Sequence, residues 1–383
     1  MTIVRTTKLL LVPIVSFLLT AALLELSLPI LHGRFAPYFR QRIIASKLNA
    51  DDARRFFSYT PGKGSQYAFV FDPELGWDHD PITRDFVATK RYLAQSYGDS
   101  FVQGAEVGSE ETWQAHFERL TGAAIVNLGV GGYGLDQSVL KFEKYARHYP
   151  TQLAILGLYS QTYRRSLSYH SFYYFTNNEA FTFVFKPIFV KKNERFELIH
   201  PPCTDAACIM EVLSSPDHDV WRLLTRYDYW YQVNQKKPVA GFPNTISYAR
   251  ALPEILRTRR EGRGAENYFF VNPGALEVVE YLIERFVDDS RGMGMTPVCV
   301  ILYAPPDLKL IKTGIRLDDQ LLKFLAARNI LHVDTAQYIL DQYRYDDDFE
   351  GLRAPNGHLN SRGNLMVAEA LSKGLSSMGI LGH

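Results

Sequence analysis

Short apolar runs alternate with amphipathic stretches along this chain, and that alternation limits its fold more than any other feature. Lys90 to Tyr97, Ala123 to Asn127, Leu153 to Leu158, Val298 to Tyr303 and Ile330 to Val333 read as buried strands. Between them, Ser109 is placed to cap a helix whose first turn holds Glu110 and Glu111, with Trp113, Phe117 and Leu120 on its buried face. Gly134 to His148 carries Leu135, Val139, Phe142 and Ala146 on one side. Ala275, Val279, Leu282, Ile283 and Phe286 share the same spacing, and Asp318 to Arg328 and Asn364 to Leu375 complete the helices. Strands alternating with helices predict a parallel sheet covered on both faces.

The rhythm breaks twice. Leu9 to Leu31 is apolar apart from a few residues, follows Arg5 and Lys8, and exceeds the roughly 20 residues a bilayer requires. Residues 1–32 are therefore expected to be an uncleaved transmembrane signal anchor, with the globular part extracytoplasmic at the inner membrane. Residues 33–90 form a lead-in, in which Phe71 to Trp77 packs a tryptophan onto the domain. Residues 164–266 are rich in Tyr, Phe, His and Pro and read as an insertion, with helices at Val220 to Lys237 and Ile246 to Arg260. The domain itself is then 91–163 and 267–383.

Formal net charge is +1 and no basic stripe occurs, which argues against a nucleic-acid partner. Aromatics are abundant, with 23 Tyr and 24 Phe, and exposed Tyr and Trp can pair with sugar rings. Cys203 and Cys208 lie close enough for a local disulfide in an oxidising compartment, and Cys299 falls in a strand. No Cys or His spacing fits a metal, so neither metal nor cofactor is expected.

The chemistry-bearing residues sit where strands end. Ser100, in Tyr97-Gly98-Asp99-Ser100-Phe101, lies at a strand's C-terminal end, facing the crevice where α/β folds bind substrates. A serine there needs a base and an oxyanion site. Gly129, Gly131 and Gly134 satisfy G-x-G-x-x-G. However, the following strand ends in Tyr159, Ser160 and Gln161, without the carboxylate a dinucleotide site needs. The other reading is a glycine turn giving a backbone N–H to the crevice. His358, in Asn356-Gly357-His358, precedes the last helix and is expected at the same sheet end.

These blocks resemble the SGNH/GDSL hydrolase superfamily, in particular its membrane-anchored bacterial branch, over about residues 70–160 and 270–380. The resemblance implies a flavodoxin-like three-layer α/β/α sandwich. It puts the nucleophile at Ser100, the base at His358, and oxyanion donors at the N–H groups of Ser100 and Gly132 and the amide of Gln161. It also implies an ester hydrolase or O-acyltransferase acting on an acylated small molecule or glycan, such as an envelope polysaccharide. Gln161 and Thr162 stand where the third block has Asn and Asp, and Asn356 stands in place of the Asp before the histidine. Asp346, Asp347, Asp348 or Glu350 could replace that acid, or a backbone carbonyl could support the histidine. The alternative is a non-catalytic glycan-binding or scaffold relative.

Overall fold

The computed structural model describes residues 3–35, 38–39, 69–79, 90–171, 185–203, 205, 207–208, 211, 219–261, 273–344 and 348–381. They form two compact units, one from Met1–Lys47 with Tyr229–Arg263, the other from Leu48–Asp228 with Gly264–His383. The segment read as one insertion thus contributes to both.

In the smaller unit, helix α1 (Ile3–Ser27) gives way to a tighter turn at Leu28–Leu31 and a short helix α2 (His32–Phe35). The transmembrane helix expected from Leu9 to Leu31 is not found. Among the described residues no helix is long and apolar enough to cross a membrane. The apolar run is divided at Ser27, and Glu25 lies in the last turn of α1. Its carboxylate accepts hydrogen bonds from the backbone N–H groups of Asn244 and Thr245. Those residues open a helix at Asn244–Glu261, so Glu25 satisfies donors that a helix start leaves unpaired.

The larger unit begins with an antiparallel hairpin, β1 (Phe69–Asp72) and β2 (Gly76–His79). A five-stranded parallel sheet follows, made of β3 (Tyr92–Tyr97), β4 (Ala124–Asn127), β5 (Leu153–Leu158), β8 (Thr296–Ile301) and β9 (His332–Asp334), in spatial order β4-β3-β5-β8-β9. A second hairpin, β6 (Ile188–Lys192) with β7 (Arg195–Ile199), stands apart from that sheet.

Helices follow the strands of the sheet as the alternation predicted, and others lie in the segment where it breaks. They are α3 (Ser100–Gln103), α4 (Trp113–Thr121), α5 (Leu135–Tyr145), α6 (Ser160–Arg165), α7 (Asp219–Tyr227), α8 (Tyr229–Lys236), α9 (Asn244–Glu261), α10 (Pro273–Gly292), α11 (Pro305–Lys312), α12 (Asp319–Ala327), α13 (Thr335–Gln342) and α14 (Ser361–Ser377); α7 to α9 lie in that segment, and α8 and α9 belong to the smaller unit. α4 packs against α14, and α5 against α10. The cap of α4 is Thr112, whose hydroxyl accepts from the Ala115 N–H at 3.3 Å. Ser109 instead opens a single tight turn ahead of it.

The chain runs outward from β3 to β4, then returns across β3 to β5. That reversal leaves a crevice at the C-terminal ends of β3 and β5, which is where such sheets hold ligands. Cys203 and Cys208 are disulfide-bonded, and Cys299 is buried.

One buried ion pair braces α5 from behind. Lys186 and Asp136 bond to each other with both side chains fully buried. Burial pushes the Asp136 carboxyl up and the Lys186 ammonium down, toward their neutral forms. Asp136→Ala would leave the Lys186 charge unpaired and is expected to destabilise the fold by about 3–5 kcal/mol, read from urea unfolding.

Candidate active site

β3 ends at Tyr97, and after Gly98 and Asp99 the chain enters α3, whose first residue is Ser100. The Asp99 carboxylate caps the turn by accepting from the Phe101 N–H at 3.0 Å. This fixes a hydroxyl that is almost buried at the mouth of the crevice.

His358 comes from the other end of the chain. Residues 353–359 form a tight loop closed by the Ala354 N–H on the His358 carbonyl (2.8 Å) and by a bridge between Arg353 and Leu359. The Asn360 side chain caps α14 behind it, accepting from the Gly363 N–H at 3.1 Å. The loop sets the His358 Nε2 2.9 Å from the Ser100 Oγ.

The carboxylate beside the histidine comes from a residue the sequence reading did not single out. Glu106 lies in the loop that leaves α3, with φ of 72°, and its Oε2 is 2.5 Å from the His358 Nδ1. The side chain is only 14% exposed. Its Oε1 accepts from the Asn356 backbone N–H (2.7 Å) and side-chain amide (2.9 Å), and its Oε2 also accepts from the His358 N–H (3.2 Å). Partial burial acts to raise the Glu106 pKa. The donors from Asn356 and His358 outweigh it and hold the carboxyl below its ordinary range.

An ionised carboxylate only accepts hydrogen bonds, so the Nδ1 must carry the proton. The Nε2 is then free to accept the proton of Ser100. Asn356, at the position where the resemblance puts Asp, donates to the Glu106 carboxylate through its backbone N–H and side-chain amide. Asp348 pairs with Lys309 and Glu350 with Arg353; Asp346 and Asp347 lie outside the described residues.

A depressed folded-state pKa stabilises the protein fully above the unfolded value, and that stability is lost as pH falls through the folded value. The melting-temperature gap between wild type and Glu106→Gln is accordingly expected to hold constant above about pH 5. It should close as the pH falls below the ordinary glutamate value near 4.3.

The glycine loop lies against this turn. The Val130 N–H donates to the Gly98 carbonyl at 3.0 Å. A Cβ on Gly129 would fall 2.3 Å from the Gln103 nitrogen, so close packing against α3 accounts for that glycine. Gly132 has φ of 79°, the left-handed region glycine favours. The first hairpin holds the loop from outside. The Trp77 indole donates to the Gly131 carbonyl (3.0 Å), the Tyr133 hydroxyl to the Trp77 carbonyl (2.6 Å), and the Gln137 amide to the Leu75 carbonyl (2.7 Å). Among the described residues nothing accepts a hydrogen bond from the N–H of Ser100 or Gly132.

Gln161 stands just inside α6. Its Oε1 accepts from Arg165 at 2.6 Å, and its Nε2 lies 3.4 Å from the Tyr159 hydroxyl. Thr162 turns inward and donates to the Tyr159 carbonyl at 2.7 Å. Phe101 stacks close to Tyr159 (ring centroids 3.9 Å) and beside the His358 ring (5.3 Å). Among the described residues no cluster could hold a metal ion.

No family model and no curated protein matches the chain. Among solved structures it is similar to a lipolytic protein of the G-D-S-L family from Desulfitobacterium hafniense, at 12% identity and a TM-score of 0.36, over 74% of this chain and 100% of that one. It is also similar to an acetylxylan esterase catalytic mutant from Geobacillus stearothermophilus, at 10% identity and 0.35, over 74% and 94%. A two-domain esterase active on acetylated mannans gives 10% and 0.34, over 75% and 49%. Scores of this size carry no weight in the chemistry, which stands on the three side chains Ser100, His358 and Glu106.

Proposed function

We propose that the chain is a serine ester hydrolase or O-acyltransferase, and that Ser100, His358 and Glu106 are its nucleophile, base and acid. The observation that carries this reading is the unbroken relay from a hydroxyl to an imidazole to a carboxylate, at 2.9 and 2.5 Å. His358 takes the proton as the Ser100 Oγ attacks an acyl carbonyl, and Glu106 stabilises the imidazolium that forms. The N–H groups of Ser100 and Gly132 receive the oxyanion, with the Gln161 amide as a third donor. His358 returns its proton to the leaving alcohol. Water or a sugar hydroxyl, deprotonated by the same imidazole, then attacks the acyl-enzyme and frees Ser100.

The non-catalytic alternative draws on Gln161, Thr162 and Asn356 in place of the residues the resemblance implies. With Glu106 beside His358, the Asn356 substitution no longer favours it. An acylated glycan as substrate and an extracytoplasmic location belong to the same proposal, and the Cys203–Cys208 bond favours an oxidising compartment.

The test is hydrolysis of p-nitrophenyl acetate and butyrate by the full chain, with p-nitrophenyl phosphate as control and acetylated xylan as a polymeric substrate. Cleavage of the acyl esters but not the phosphate is expected. No turnover of any acyl ester, with or without an added sugar acceptor, would remove the proposal.

A further inference from the structure

We infer that Arg165 is the positioning residue of the oxyanion site, one buried guanidinium that sets the register of all three donor segments. The inference rests on the ester-hydrolase reading and deepens it.

Arg165 closes α6 and is 5% exposed. Its Nη1 donates to the Asp99 Oδ2 at 2.9 Å and to the Tyr133 carbonyl at 3.1 Å, and its Nη2 to the Gln161 Oε1 at 2.6 Å. Each acceptor belongs to a different segment and adjoins a donor. Asp99 precedes Ser100, Tyr133 follows Gly132, and Gln161 carries its own amide. The other Asp99 oxygen caps the Phe101 N–H, so the ion pair also bears on the turn that presents Ser100.

The guanidinium further decides which way Gln161 faces. Arginine has five N–H donors and no acceptor, so it must be met by an acceptor, which in a glutamine amide is the oxygen. Gln161 therefore turns its carbonyl to Arg165, and its NH2 is left on the opposite side, where Tyr159 stands. Without Arg165 the amide could flip and present an oxygen to a developing oxyanion, which would repel it. A lysine keeps the charge but not the planar fork that reaches Asp99, Tyr133 and Gln161 together.

The test uses the full chain with Arg165→Lys, Gln161→Ala, Gln161→Glu and the double variant Gln161→Ala/Arg165→Lys. Rates of p-nitrophenyl acetate cleavage are divided by the number of sites that a phosphonate ester can titrate, so loss of folded protein does not count as loss of catalysis. Arg165→Lys is expected to lower kcat per titrated site about 10–100-fold, with KM nearly unchanged, because the donors act in the transition state. Gln161→Glu keeps an oxygen for Arg165 but has no N–H, and is expected to lose as much as Gln161→Ala.

The double variant should lose less than the product of the two single losses, since part of what Arg165 does passes through Gln161. An unchanged rate per titrated site in Arg165→Lys would overturn the inference. So would full activity in Gln161→Glu, or losses that simply multiply. If Arg165→Lys does not fold, the Gln161→Glu result still decides whether the amide is a donor. A wild-type chain that neither turns over esters nor titrates would sink the ester-hydrolase reading itself, a separate failure.

Discussion

Ser100→Ala is expected to remove about 10⁶-fold of kcat on p-nitrophenyl acetate, down to the background set by the remaining site, while the melting temperature stays near that of wild type. This is the scale on which a nucleophile–base unit fails when its nucleophile is deleted. The geometry is why so large a loss is expected from one oxygen atom. The Ser100 Oγ is the partner of the His358 Nε2, it sits on the first residue of a helix, and the N–H of its own backbone is unengaged among the described residues. Alanine retains that N–H, the turn and the Asp99 cap, so binding and folding persist while acyl transfer stops. His358→Ala is expected to lose about as much, because the two act as one unit.

The second large effect belongs to Glu106. Glu106→Gln is expected to lower kcat about 10⁴-fold, the cost of neutralising the acid in a comparable triad. The reason lies in what surrounds the carboxylate. Its two oxygens accept from the Asn356 N–H, the Asn356 amide, the His358 N–H and the imidazole. A glutamine must turn its own NH2 toward one set of these donors. Facing the imidazole, it would push the ring to the tautomer whose Nε2 carries the proton and cannot take one from Ser100. Asn356→Ala is the control, since it removes one charge-assisted hydrogen bond, worth about 1.5–3 kcal/mol, and leaves the acid in place. Its loss should fall well short of that of Glu106→Gln.

The parts of the fold that could be read in advance are those set by periodic burial. β5 was bounded correctly because Leu153 to Leu158 is buried on both faces and therefore apolar throughout. Ser100 and His358 were legible because each stands in a short glycine-bearing loop at an element end. Glu106 was not. It sits between Gly104 and Gly108 in a left-handed backbone conformation, with no periodicity and no spacing to His358, and only the folded chain brings it across 252 positions to the imidazole. The one available signal was Asn356. An amide where the resemblance puts an acid means that a carboxylate arrives from elsewhere, and nothing in the sequence points past the nearby Asp346, Asp347, Asp348 and Glu350 to Glu106. Arg165 is not legible in the sequence because the alternation ends at about Arg164, which places the last two residues of α6 in the insertion. In α1, the apolar pattern shows the helix but neither its end at Ser27 nor the meeting of Glu25 with α9 far along the chain.

The most direct test of the Ser100–His358–Glu106 unit is to treat the full chain with a p-nitrophenyl phosphonate ester and find the labelled residue by peptide mass spectrometry. The account predicts one equivalent on Ser100 in the wild type, none in His358→Ala, and much slower labelling in Glu106→Gln than in Asn356→Ala. Label spread over surface tyrosines and lysines, or a Glu106→Gln protein that labels at the wild-type rate, would contradict it.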